Sequence, residues 1–151
     1  MTTDLGLMLA KAYQEFVNEL HATLGARGFT DLGRSDGFVF RALADQPATV
    51  SELATRLGIS KQGAGQIIED MERRGYVRRR QDPDDARARP VELAARGQHA
   101  LAAARAFHQQ YERRLARQHG RAAMRDVRAV LTAMAGGEAA TLDPQVRAMY
   151  F

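Results

Sequence analysis

Two segments of apolar periodicity, 51–57 and 61–74, are separated by only Gly58-Ile59-Ser60. No other feature of the chain restricts its fold as much. Two helices joined so closely must turn sharply and pack at once. In the first, Leu53, Ala54 and Leu57 form the inner side, and Ser51 is the expected N-cap. Gly58 adopts a left-handed turn with no Cβ penalty, Ile59 plugs the corner, and Ser60 caps the next helix. In that helix Ala64, Ile67, Ile68 and Met71 share one face, while Lys61, Gln62, Gly65, Gln66, Glu69 and Asp70 occupy the other.

A helix buried on one side only, behind a glycine corner, leaves its other side free for a DNA major groove. Gln62 and Gln66 offer the donor–acceptor pair that adenine presents, and Lys61 reaches guanine or a phosphate. Ser60, as the cap, lies where helix N–H groups meet a phosphate. Gly63 and Gly65 each cost about 1 kcal/mol relative to Ala inside a helix. Close backbone approach to DNA, a mobile recognition helix, or drift on a solvent face would each account for them.

After Gly75 the segment 76–81 (YVRRRQ) reads as a strand, Asp82-Pro83-Asp84-Asp85 as a turn, and 88–93 as the returning strand. Pro90 within that strand argues for a sheet edge. The hairpin carries Arg78, Arg79 and Arg80 outward and Arg87 and Arg89 on the return. An arginine at such a tip suits a narrow minor groove, and Asp85 is placed to steer Arg87. The readings expected to touch DNA are therefore Ser60, Lys61, Gln62, Gly65, Gln66, Arg78, Arg80, Asp85, Arg87 and Arg89.

Around this unit the chain reads as helical. Leu9, Tyr13, Phe16, Leu20 and Leu24 give residues 5–24 one apolar stripe. A second helix is expected over 34–44, a long one over 96–119, and a last one over 121–135 with Met124, Val127, Val130, Leu131 and Met134 along one side. Residues 142–151 form an apolar-tipped tail. The apolar last helix and tail are expected at a subunit interface.

In these stretches, SELATRLGISKQGAGQIIEDMERRGYVRRR and DPDDARARPVEL with the following AARG, the chain resembles the DNA-binding lobe of the MarR (multiple-antibiotic-resistance regulator) family. Asp85-Ala86-Arg87 fits that family's Asp-x-Arg wing signature. The sequence departs from the pattern at Ala86, at Ala94 and at Pro90. The resemblance implies a mainly α fold with a small β-hairpin wing: one chain over 1–151, a winged helix–turn–helix over 33–93, and dimerisation helices over 5–24 and 96–151. It further implies a homodimeric regulator of transcription, usually a repressor, that binds double-stranded DNA and answers to a small aromatic or anionic effector. In such proteins the effector lies between the first, second and long helices. That puts Tyr13, His21, Arg34, Phe40, Phe107, His108 and Tyr111 forward as lining residues.

Composition sets the remaining bounds. With 151 residues there is room for one domain, not two large ones. The net charge of +4 comes from 20 Arg and 2 Lys set against 18 acidic residues, with a pI near 9.9. Arginine's planar fork suits phosphate, yet a charge this modest also fits solvated helices. The absence of cysteine removes disulfides, thiolate metal sites and Cys/His catalysis. His21, His99, His108 and His119 show no metal-ligand spacing. No Gly-rich phosphate loop, no Gly-x-Ser-x-Gly elbow and no carboxylate pair can be assembled, so neither an enzyme nor a cofactor is expected. There is no apolar run long enough for a membrane span, and the N-terminus lacks the basic start of a secretory signal, so a cytoplasmic location is expected. Two other readings remain open at this point: a winged-helix protein-protein interaction module without DNA binding, and a carrier of small molecules.

Overall fold

A computed structural model describes residues 4–81, 83–84 and 89–137. The chain divides into two units, Met1–Leu32 and Gly33–Phe151. The first contains helix α1, Leu5–Gly25. Asp4 caps it, its carboxylate accepting from the Leu7 N–H at 2.8 Å. Gly28, at φ +93°, turns the chain away after its last turn.

The second unit runs α2 (Asp36–Ala42), α3 (Val50–Leu57), α4 (Lys61–Arg73), β1 (Val77–Arg79), β2 (Val91–Leu93), α5 (Ala95–His119) and α6 (Arg121–Met134). Strands β1 and β2 pair antiparallel, with Val77 opposite Leu93, Arg78 opposite Glu92 and Arg79 opposite Val91. Ala48 adds a bridge to the other side of Val91, through N–H···O bonds of 3.0 and 2.8 Å. The mainly α fold with a β-hairpin wing is as the sequence leads one to expect.

Local differences have physical causes. The second helix spans Asp36–Ala42, not 34–44. The first helix of the motif starts one residue early, at Val50, because Thr49 and not Ser51 is its cap. Thr49 accepts from the Glu52 N–H at 3.2 Å, and the Glu52 carboxylate accepts from the Thr49 N–H at 2.7 Å, a reciprocal capping box. The Thr49 N–H, and after it the Thr49 hydroxyl, donate to the Glu52 carboxylate and hold its pKa below the usual value. The strands are shorter than 76–81 and 88–93. Pro90 lies just before β2, where its carbonyl accepts from the Arg80 N–H at 2.8 Å. The returning segment is thus bonded on both sides, to β1 and to Ala48, and no edge position is needed to accommodate the proline. Wing-turn residues 82 and 85–88, and the tail over 142–151, lie outside the described residues.

The core of this unit is Val39, Phe40, Leu53, Ile68, Met71, Tyr76, Val77, Val91 and Leu93 with the N-terminal half of α5, including Ala100, Leu101 and Phe107. Gly58 ends α3 in the left-handed region (φ +64°), as the corner requires. Gly97 has a different task. A β-carbon there would lie 2.1 Å from the Tyr76 carbonyl oxygen, so only glycine lets α5 start against that backbone. The Ala94 N–H closes the same junction, donating to Tyr76 O at 3.0 Å.

Candidate nucleic-acid interface

Helix α4 follows the expected pattern except that Ile67 on the inner side, and Gly65 and Asp70 on the outer, are half-buried. Ala64, Ile68 and Met71 are buried, and Lys61, Gln62, Gln66 and Glu69 are exposed. Ser60 is its N-cap, its hydroxyl accepting from the Gly63 N–H at 3.0 Å. At Gly63 a β-carbon would press to 3.1 Å from the Ser60 hydroxyl, a side-chain atom that must give by a few tenths of an ångström. At Gly65 a β-carbon would meet only Val50 Cγ1, at 4.0 Å, so nothing within the chain requires that glycine.

The C-terminal end of α4 is held by charge. Arg74 is forked onto Asp36 at 2.6 and 3.1 Å and onto Asp70 at 2.9 and 2.6 Å. Asp36, with 3% of its side chain exposed, also accepts from the Gly33 N–H at 2.8 Å. Those carboxylates raise the Arg74 pKa, the Asp36 bond foremost, with burial acting the other way. Arg96 donates to the Arg74 carbonyl, and its guanidinium lies 4.4 Å above the Tyr76 ring. Phe40 meets that ring edge-on at 5.6 Å. The motif reading gave Asp36, Arg74, Tyr76 and Arg96 no role. Their only signal is an acid at the start of one short helix and an arginine at the end of another, 38 residues apart.

On the wing, strand alternation separates the arginines. Arg78 Nε donates to Glu92 at 2.7 Å, and Arg80 lies 3.6 Å from the other oxygen of the same carboxylate. Arg79, on the opposite side, reaches Glu72 of α4 at 3.4 Å. Arg78 and Arg80 remain well exposed, as does Arg89, whereas Glu92 is largely covered. Asp85 and Arg87 lie outside the described residues.

The expected effector residues are distributed as follows. Tyr13 and His21 are exposed on α1, in the first unit, and Arg34 is exposed before α2. Phe40 is core, against Tyr76. Phe107 is core as well, with the Tyr111 ring 5.6 Å away and the His108 ring 5.8 Å away. Burial, helped by the Arg41 charge and opposed by Glu112, lowers the His108 pKa. Among the described residues no group of three or more His, Asp or Glu is placed to hold a metal ion, and no helix is long and apolar enough to cross a membrane.

Comparison with known proteins agrees with this geometry. The sequence profile of the MarR family matches residues 30–88. The transcriptional regulator HosA of Escherichia coli O111:H- is 40% identical over 75 residues, a match covering 49% of this chain and 56% of that protein. The chain thus spans little more than half the length of this curated relative. Among solved structures, RV1404 from Mycobacterium tuberculosis superposes with a TM-score of 0.73 at 17% identity, covering 91% of this chain and 97% of that one. MepR from S. aureus, solved as a complex with DNA, gives 0.69 at 18% identity over 86% and 94% of the two chains. At such identities the structures speak for the fold alone, and the profile and HosA each match only part of the chain. The MarR family profile thus matches residues 30–88, the stretch that holds the helix–turn–helix and β1, and the fold of the chain is that of RV1404 and MepR.

Proposed function

We propose that the chain is a sequence-specific regulator of transcription that binds double-stranded DNA as a homodimer on a pseudo-palindromic operator, and that a small ligand relieves its repression. The observation that carries this reading is α4, a helix with a sealed apolar back and an uncovered front of Lys61, Gln62 and Gln66 behind the Ser60 cap. A MepR structure of the same fold holds DNA, and another holds ethidium bromide, which supports both halves of the proposal. Lys61, Gln62 and Gln66 read the major groove, with backbone approaching at Gly65. Ser60, Arg78, Arg80 and Arg89 hold phosphates, and Arg87, steered by Asp85, enters the minor groove. Two recognition helices must then stand about 34–36 Å apart to meet successive grooves. A ligand relieves binding only as far as it favours a dimer with another spacing. The reading includes no catalysis and a cytoplasmic location.

The test is selection of bound duplexes from a random pool, followed by gel-shift titration at fixed salt. A two-fold-related motif is expected. Gln66→Ala should change the selected bases more than the salt slope. Arg87→Ala should weaken operator binding by about 1–3 kcal/mol. No retention on duplex DNA at low salt would overturn the reading, since phosphate contacts make such binding strongly salt-dependent.

A further inference from the structure

The second unit opens a cavity of about 620 Å³ between the loop after α2, the two wing strands and the first half of α5. Small-molecule sites fall in the range of roughly 300–1,000 Å³. Its apolar wall is Leu43, Pro47, Leu93 and Leu101, continued by alanines of α5, and no aromatic side chain lines it. None of the effector residues expected from the sequence belongs to it.

The charges that line it are unequally paired. Glu92 serves two guanidiniums, Arg78 in the wall and Arg80 just beyond. Arg105 of α5 adds a third cation, and among the described residues it has no ion-pair partner. Asp45 adds one further carboxylate, likewise unpaired among them. The lining thus holds two cations and two anions, with Arg80 beyond it on the same Glu92, and among the described residues Arg105 is the cation left without a carboxylate beside the aliphatic wall.

We infer that this cavity binds an aliphatic carboxylate, its chain lying on Leu43, Pro47, Leu93 and Leu101 and its head held by Arg105 and Arg78. The regulatory consequence rests on the DNA reading above. Carboxylate and phosphate oxygens compete for the same guanidinium fork. A ligand engaging Arg78 therefore weakens duplex binding, and the duplex weakens ligand binding by the same factor.

Octanoate is the probe, added below its micellar range to the full chain and followed by amide chemical shifts. Saturable shifts are expected at residues 43–46, 92–93 and 98–109, with octanol and octylammonium binding at least tenfold more weakly. Arg105→Gln should lower octanoate affinity about tenfold or more, as loss of a charge-assisted hydrogen bond does. Ala102→Trp should abolish binding by filling the groove, and because Ala102 is exposed, its melting temperature should stay at that of the parent chain. Non-saturating shifts, equal binding of octylammonium, or an unchanged affinity in Arg105→Gln would overturn the site. If the chain binds duplex and saturating octanoate leaves that affinity unchanged, the competition is overturned. If octanoate binds as described and duplex does not bind at all, the site stands and the DNA reading falls.

Discussion

A methyl group added at Gly97 would overlap the Tyr76 carbonyl oxygen at 2.1 Å, and because that atom is backbone, rotating a side chain gives no relief. Gly97→Ala should cost about 3 kcal/mol in urea unfolding, at the upper end of ordinary overpacking. Gly65 is the contrast. Its β-carbon has room, so Gly65→Ala should stabilise α4 by up to about 1 kcal/mol. If that variant is more stable yet binds operator less well, the glycine serves backbone approach to DNA. Unchanged binding would make it a neutral position. His108 sets a pH dependence. Its lowered pKa means that the folded chain takes up a proton less readily than the unfolded chain, whose imidazole titrates near 6.5. Above that pH both states are neutral and stability does not change on this account. Below it the unfolded state binds more protons, and stability falls as pH falls. His108→Gln should flatten this part of the fall in unfolding free energy measured between about pH 5 and 8. An unaltered slope would show that the ring is freely solvated. Gly97 stands in the sequence as one glycine near the start of a helix, and nothing local marks it off from Gly65, because what it meets is 21 residues away.

Helix α4 is fixed at both ends by side chains from elsewhere in the second unit or from its own flanks. Ser60 satisfies the Gly63 N–H at its start, and Arg74 fastens its end to Asp36 at the N-terminus of α2. The pair is well covered, with 17% of the Arg74 side chain and 3% of Asp36 exposed. Removing one member of such a pair strands the other. Asp36→Ala should therefore cost about 3 kcal/mol, the low end for a broken buried pair because Asp70 still holds Arg74. Replacing both, as Asp36→Leu with Arg74→Met, should cost less than the single change, and a thermodynamic cycle on unfolding free energies measures the difference. The result that would sink this argument is a single variant as stable as the parent. The helices, the corner and Ser60 were legible because their signals are periodic or lie within four residues. Thr49-x-x-Glu52 was an equally local signal, and it outranks Ser51 because two bonds close there reciprocally. The Asp36–Arg74 junction was not legible, since 38 residues separate its partners.

At the scale of the molecule, α6 presents Val127, Val130, Leu131 and Met134 to solvent, with Leu131, the least exposed, still 44% accessible. No residue of α6 is buried among the described residues. An amphipathic helix left bare in one chain suits a second copy, and the homodimer proposed above is its expected cover. Leu131→Glu should reduce the mass found by light scattering from two chains to one. It should also weaken operator binding, because the two reading heads would no longer be tethered. A mass that stays at two chains would move the interface off α6. The sequence by itself determined the order of helices, the glycine corner, the one-sided character of α4 and the basic run on the wing. Each of these is written in residues near enough for periodicity, capping and turn chemistry to reveal them. Only the tertiary structure decided that Glu92 holds Arg78 and Arg80, that Asp36 anchors the far end of α4, that α5 needs glycine against Tyr76, and that an aliphatic cavity opens beside the wing. Those features arise from groups brought together by packing of the core, and charge and shape complementarity between distant segments leave no periodic trace along the chain.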